Sequence, residues 1–204
     1  MKVIIPENIS EITLYQYQQY EKLIGRQDLT DKEMIYRMVK IFTGLPFNQI
    51  TEMQYKDLEE IVSLIKIALE TECKFETTFK INGVEFGFIP NFDDIKAKEY
   101  FDLSEYNDKS EELNKLMAIL YRPIKSKDVW GNYEIVDYQG TNEWAEVMKQ
   151  TPLNIVNGAL GFFLNLSKEL QDYIQKYSKR EAPQKEQQHE SIIKNGDGLQ
   201  LSGN

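Results

Sequence analysis

The stretch FETTFKINGVEFGFIP, residues 75–90, decides the fold, because apolar and polar residues alternate on both sides of an Asn-Gly pair. Alternation with a period of two gives each of two strands one apolar face. Asn82 and Gly83 tolerate the positive φ angles of a type I′ turn, and Pro90 lacks the N–H that a continuing strand would need. The sequence therefore predicts a β-hairpin over residues 75–89.

Three amphipathic helices are predicted before the hairpin. The first begins after Thr13, the second spans residues 31–43, and the third carries an apolar stripe over residues 55–69. Thr30 and Glu33 stand three residues apart, the spacing of a capping box at the start of the second helix. Because each stripe recurs at three- and four-residue intervals, we expect these helices to pack on one another.

Four further elements are predicted after the hairpin, and the first is a brief helical period over residues 92–101. A helix marked by apolar residues from Leu113 onwards should stop at Arg122, because Pro123 disfavours the helical conformation in the residue before it. A second strand-like stretch covers residues 133–138. A long apolar helix then runs from Pro152 to Tyr177.

Composition changes sharply after residue 177, because every aromatic residue lies before Ser178. A segment so poor in large apolar residues cannot bury enough surface to offset its ordering entropy. The sequence thus predicts a single domain over residues 1–177 and a disordered polar tail over residues 178–204. The predicted fold class is α+β and mainly α-helical: a helical bundle with the hairpin and a second short strand segment.

Charge limits the classes of partner. The chain has 33 acidic and 24 basic side chains, and its net charge is -9. A grip on nucleic-acid phosphates or on an anionic membrane needs a basic face, so neither partner is expected. With one cysteine and no signal peptide or membrane-spanning stretch, the sequence predicts a soluble protein of a reducing cytoplasm.

Residues for catalysis are also lacking in the sequence. The one histidine, His189, lies in the predicted tail, and Cys73 lacks a basic neighbourhood beyond the adjacent lysine. Adjacent carboxylates such as Asp93 and Asp94 do not face each other on a helix and supply too few metal ligands. We therefore predict no enzyme activity, no catalytic residue, no bound metal and no cofactor. Gly158 and Gly161, in the long helix, are both expected to mark the close approach of another helix or backbone segment.

Two features remain without a catalytic interpretation. Arg122 is fixed between an apolar helix end and a proline, where it either pairs with a carboxylate such as Asp93 or Asp94 or lies at the surface. Phe162 and Phe163 make the long helix apolar on two sides, so they form either a wedge in the core or the exposed seam of an assembly. The candidate partner-binding residues are Phe162, Phe163, Leu166, Leu170 and Arg122.

The order of these elements resembles small proteins of tailed bacteriophages. The resemblance lies in the hairpin, the Leu120-Tyr121-Arg122-Pro123 step, the turn from Tyr138 to Gly140 and the terminal Phe162-Phe163 helix. In role, the nearest group is the tail assembly chaperones that accompany the tape-measure protein. The resemblance implies a non-catalytic chaperone in the host cytoplasm that binds a long helical tail protein through an apolar helical surface.

Two other functions stay open at this point. A structural virion component, such as a connector, ring or packaged protein, would use the same apolar helix in a permanent and symmetric interface, which makes a homo-oligomer an option. An enzyme would require Asp93, Asp94 and Glu99 to converge on a metal ion. The sequence fixes neither the identity of the partner nor the oligomeric state.

Overall fold

The computed structural model describes residues 3–107 and 109–165. The helices are α1 (Leu14–Ile24), α2 (Asp31–Thr43), α3 (Phe47–Thr51), α4 (Tyr55–Leu69), α5 (Ala97–Tyr106), α6 (Leu113–Leu120), α7 (Ala145–Met148) and α8, described over residues 153–165. The strands are β1 (Thr78–Ile81), β2 (Val84–Phe88), β3 (Tyr121–Lys127) and β4 (Tyr133–Ile135). The fold class is therefore α+β and mainly helical, as predicted.

Two compact units divide the chain, one over Met1–Ala159 and a second that begins at Leu160. The first unit thus ends inside α8, before the domain boundary that the sequence predicts at residue 177. That boundary and the predicted tail over residues 178–204 lie outside the described residues. Within residues 3–107 and 109–165, no helix combines the length and the apolar character needed to cross a membrane.

The three helices predicted before the hairpin are confirmed as α1, α2 and α4, and the predicted capping box of α2 is present. In α2, the Thr30 hydroxyl accepts a hydrogen bond from the Glu33 N–H at 3.3 Å, and the Glu33 carboxylate accepts one from the Thr30 N–H at 2.9 Å. Gly44 ends this helix with a φ of 69°, a conformation that glycine adopts without steric cost. The short α3 was not predicted, because five residues are too few to show a helical period.

The hairpin is confirmed with its turn. Asn82 and Gly83 have φ angles of 50° and 82°, and Ile81 pairs with Val84 directly across the turn. The strands cover residues 78–88, within the predicted range. The sheet order is β1-β2-β3-β4, and every neighbouring pair is antiparallel.

Strand β3 corrects the prediction for the segment after α6. The helix ends at Leu120, two residues before the predicted stop, and Tyr121 already has the extended angles φ -122° and ψ 128°. The strand that follows lies in the middle of the sheet, where a proline is rare because it cannot donate to a neighbour. Here the Pro123 carbonyl still accepts a hydrogen bond from the Val136 N–H at 2.9 Å, so half of its pairing capacity is used.

The core lies where α6 meets the sheet. From Leu113 to Leu120, every residue of α6 except Lys115 is buried, as expected for a helix that is apolar on most of its circumference. On the sheet, the rings of Phe88 and Tyr121 pack edge to face with centroids 5.1 Å apart. The largest fully buried side chains include Tyr121, Phe86, Ile12, Leu14, Ile50, Ile65, Leu116, Met117, Ile119 and Leu120.

The predicted close approach is found at Gly158 but not at Gly161, where an added Cβ would meet no described atom within 4 Å. A Cβ atom at Gly158 would lie 2.4 Å from the Lys74 carbonyl oxygen. Since non-bonded carbon and oxygen atoms cannot approach so closely, only glycine allows this contact without a shift of the backbone.

Candidate partner-binding surface

The predicted binding residues of the last helix are described only in part. Phe162 is 37% exposed and Phe163 is partly buried, both in the last turns described for α8. Leu166 and Leu170 lie outside the described residues. The binding role of this helix face therefore stays a prediction.

Arg122 is buried in β3 and not at the surface. Its exposed fraction is 8%, and its Nη1 donates a hydrogen bond to Oε1 of Glu99, in α5, at 2.6 Å. The expected arginine–carboxylate pair thus exists with Glu99, whereas the Asp94 carboxylate accepts a hydrogen bond from the Asn91 amide at 2.7 Å. The pair with Glu99 joins β3 to α5. Because so little of Arg122 is accessible, we do not include it in the partner-binding surface.

Tyr138 covers the Arg122–Glu99 pair from a third direction. Its ring centroid lies 5.8 Å from the Arg122 guanidinium carbon, and its hydroxyl donates to the Asp102 carboxylate at 2.5 Å. Burial and the neighbouring Asp102 raise the pKa of Tyr138 well above its ordinary value. The hydroxyl therefore stays protonated at neutral pH and acts as a hydrogen-bond donor.

Glu99 has a second hydrogen-bonding role in this cluster. Glu99 uses its second carboxylate oxygen to accept the Lys96 N–H at 2.9 Å, so it also caps α5. Among the residues that the structure describes, no group of three or more histidine, cysteine, aspartate or glutamate side chains could hold a metal ion. Two of the three acids that the sequence offered as metal ligands are hydrogen-bonded to other side chains: Glu99 to Arg122 and Asp94 to Asn91.

An apolar groove is present at another place, between residues 3–7 and α4. Its volume is about 570 Å³. We call it the N-terminal groove; its lining residues are Val3, Ile4, Ile5, Pro6, Glu7, Leu64 and Ile67. This volume lies in the range of pockets that bind small molecules or side chains of a partner.

Helix α4 has a second apolar face that lines this groove. Its buried stripe consists of Leu58, Ile61, Ile65 and Ala68. Leu64 flanks that stripe, three residues after Ile61, and Ile67 lies three residues further on, towards the exposed side of the helix. Ile67 is 60% exposed and Ile4, across the groove, is 78% exposed. The groove therefore presents aliphatic side chains that the described residues of the first unit do not cover.

The edge of the N-terminal groove is acidic. Glu7 lines it directly. Glu60 is exposed and precedes Leu64 by four residues, which places it on the same face of α4. An apolar floor with carboxylates at its edge favours a partner that combines an apolar stripe with basic residues.

A second exposed apolar feature lies at the turn between β3 and β4. Val129 is 92% exposed and Trp130 is 85% exposed. We call these two residues the aromatic tip. Tryptophan is one of the residues that most often dominate the energy of protein interfaces.

Sequence reasoning missed both features, although a signal for each exists. Leu64 and Ile67 are apolar but do not belong to the stripe of their helix. Val129 and Trp130 stand beside Gly131, at a turn position where polar residues are the rule. An apolar residue that lies outside the buried stripe of its helix, or in a turn, is thus the sequence signal for a contact surface.

Comparison with known proteins adds no relative. No protein-family model matches this chain, and no curated protein or solved structure matches it. The resemblance to tail assembly chaperones stays a prediction, and the surface geometry described above is the basis of the proposal that follows.

Proposed function

We propose that this chain is a non-catalytic binding protein whose N-terminal groove receives the apolar face of a partner helix. The observation that carries the proposal is the exposed pair Leu64 and Ile67 beside residues 3–7. The partner class that we propose is a long helical tail protein of a bacteriophage, which the chain would accompany as an assembly chaperone in the host cytoplasm. The proposed surface replaces Arg122 and adds to the predicted face of the last helix.

A helix fits this groove for physical reasons. Amphipathic helices dock into apolar grooves through side chains at positions i, i+3, i+4 and i+7, which lie on one face. A groove along α4 offers Ile67 and Leu64 at the matching three-residue spacing. Removing their exposed surface from water would contribute about 25 cal/mol for each Å² that is covered.

Charge supports the same partner class. The carboxylate of Glu7 at the groove, with that of Glu60 on the same face of α4, would attract a helix that carries lysine or arginine beside its apolar stripe. The net charge of -9 would keep a complex with an aggregation-prone partner soluble. Binding of this kind is reversible, so the partner can leave when assembly buries the same helix face.

A synthetic helical peptide tests this proposal. The probe carries leucine at i, i+3, i+4 and i+7, lysine on its flanks and a fluorophore, and its anisotropy reports binding to the full chain. Ile67→Lys should weaken binding by about tenfold or more, because the new charge would be buried in the groove. Ile24→Lys is the matched control, since Ile24 is an exposed isoleucine of α1 that does not line the groove. Equal affinity for both variants would exclude the groove as the binding site.

Purified phage particles separate the chaperone from the virion component. A chaperone acts before assembly is complete, so the chain should be absent from mature particles and should co-purify with unassembled tail protein. A fixed number of copies in each particle would instead establish the permanent structural role.

A further inference from the structure

The aromatic tip is held in one conformation by the residues of its own turn. One Asp128 carboxylate oxygen accepts the N–H groups of Trp130 and Asn132 at 2.9 and 2.8 Å, and the other accepts the Asn132 amide at 2.7 Å. The Gly131 N–H donates to the Asp128 carbonyl at 3.2 Å, and Gly131 has a φ of 89°. The hydrogen bonds, first that of the Asn132 side chain, hold the pKa of Asp128 below its ordinary value.

This order matters for binding. A turn that is already fixed loses little conformational entropy when it enters a contact. The strands beneath it are tied to each other and to the hairpin, with Lys125 3.3 Å from Glu134 and Lys127 2.8 Å from Glu85. Trp130 therefore lies on a rigid support. Its ring is exposed, although contact between an apolar ring and water is unfavourable.

The charges at the tip are balanced, in contrast to the chain as a whole. Over residues 125–134, Lys125 and Lys127 offset Asp128 and Glu134. A second copy of this acidic chain would therefore repel this segment less than it repels the average surface.

We propose that the aromatic tip of one copy inserts into the N-terminal groove of a second copy. The groove offers aliphatic side chains for the indole ring, and its volume of about 570 Å³ accommodates the tip. A buried tryptophan also needs an acceptor for its ring N–H, and the carboxylate of Glu7 lines the groove. The groove thus offers the aromatic tip an apolar lining, enough volume and a hydrogen-bond acceptor.

The consequence is a contact between two different surfaces of the same chain. Repeated from copy to copy, such a contact closes a ring or continues as a filament. It would also cover the N-terminal groove until a helical partner displaces the tip. The self-contact uses the groove of the proposed function but does not depend on the identity of that partner.

Tryptophan emission gives the first test. In a Trp144→Phe variant of the full chain, Trp130 is the one remaining tryptophan, and phenylalanine keeps an aromatic ring against Phe86. Its emission should shift to shorter wavelength as protein concentration rises, in parallel with the mass measured by sedimentation. Emission and mass that stay constant over the whole concentration range would overturn the proposal. A shift that requires vesicles of phosphatidylcholine and phosphatidylglycerol would overturn it as well, because the tip would then bind lipid.

Mixing of two variants gives the decisive test. Trp130→Ala lacks the tip and Ile67→Lys lacks a functional groove, so each alone should be monomeric by sedimentation. An equimolar mixture should associate, because the intact tip of one variant meets the intact groove of the other. A mixture that stays monomeric while the unmodified chain associates would exclude the tip-to-groove contact. Circular dichroism of each variant verifies that it is folded.

The peptide assay separates this inference from the proposed function. Trp130→Ala should bind the helical peptide at least as tightly as the unmodified chain, since its groove is no longer occupied by a second copy. If the peptide binds and the mixture stays monomeric, the self-contact alone is wrong. If the mixture associates and no variant binds the peptide, the proposed function alone is wrong.

Discussion

Helices α6 and α4 both carry apolar residues on more than one face, but these residues are buried on all sides of α6 and partly exposed on α4. In α6, neighbours surround the helix: Leu116 and Ala118 are both buried, although residues two apart lie on nearly opposite sides of a helix. In α4, one stripe is buried, while Leu64 and Ile67 stay accessible beside residues 3–7. Apolar content alone therefore does not indicate whether a helix face belongs to the core or to a contact surface.

The difference lies in what surrounds each helix. α6 is followed directly by the central strand β3, so the chain itself places the sheet against it. α4 packs against α2, and its side at the groove faces the short segment of residues 3–7. Substitutions in the two regions should consequently differ in the property that they change: stability in one and binding in the other.

The largest expected effect concerns the buried ion pair next to α6. Arg122→Ala should lower the free energy of unfolding by about 3–5 kcal/mol, because it leaves the Glu99 carboxylate buried without its partner. Chemical denaturation measures this loss. The double variant Arg122→Met with Glu99→Gln should recover most of the stability, since it removes both charges while the glutamine oxygen can still accept the Lys96 N–H. If Arg122→Ala were as stable as the unmodified chain, the ion pair would not be buried from water.

The next effect compares one apolar residue from each helix. Leu116→Ala should cost about 2–5 kcal/mol, because it opens a cavity in a closed core. Ile67→Ala should change stability by less than about 0.5 kcal/mol, since the side chain is mainly exposed. Urea unfolding of both variants checks the comparison, and equal losses would place Ile67 in the core.

A smaller loss is expected at the glycine of α8 that touches the segment after α4. Gly158→Ala should lower stability by about 1–3 kcal/mol, because the added methyl group would overlap the Lys74 carbonyl. Gly161→Ala is the control, since a Cβ there meets nothing within 4 Å. A fall of the thermal midpoint in the first variant, with no fall in the second, would confirm the close approach; the second can rise slightly, because alanine favours a helix over glycine.

The smallest effect concerns the opposite side of α4, where Tyr17 lines a cavity of about 300 Å³ together with Lys66 and Leu69. Burial, first, and a hydrogen bond with Glu21 raise the pKa of Tyr17 to about 12. Since this value exceeds the ordinary value of 10, the stability that Tyr17 contributes is complete below pH 10 and is lost as the pH rises to about 12. In Tyr17→Phe, the free energy of unfolding should fall less steeply with rising pH over this range. A pH profile equal to that of the unmodified chain would contradict the raised pKa.

Local patterns made part of this fold predictable. The Asn82-Gly83 turn and the Thr30–Glu33 capping box depend on residues adjacent in sequence, so their geometry follows from local sterics and hydrogen bonding. Strand β3 was not predictable in this way, because Pro123 argues against a central strand and only its partners in the sheet make it one.

The candidate site shows the same division. Phe162 and Phe163 were predicted from their own helix, whereas the N-terminal groove joins residues 3–7 to α4, far apart in the chain. Arg122 was predicted to pair with an acid, but which acid depends on where α5 lies beside β3, and that acid is Glu99.

The sequence by itself determined the acidic charge, the helical and hairpin segments and their caps, because each depends on composition or on neighbours along the chain. Only the tertiary structure decided which apolar residues are covered. Burial is a property of the elements packed around a side chain, so Leu116 lies in the core, whereas Ile67 and Trp130 lie at the surface.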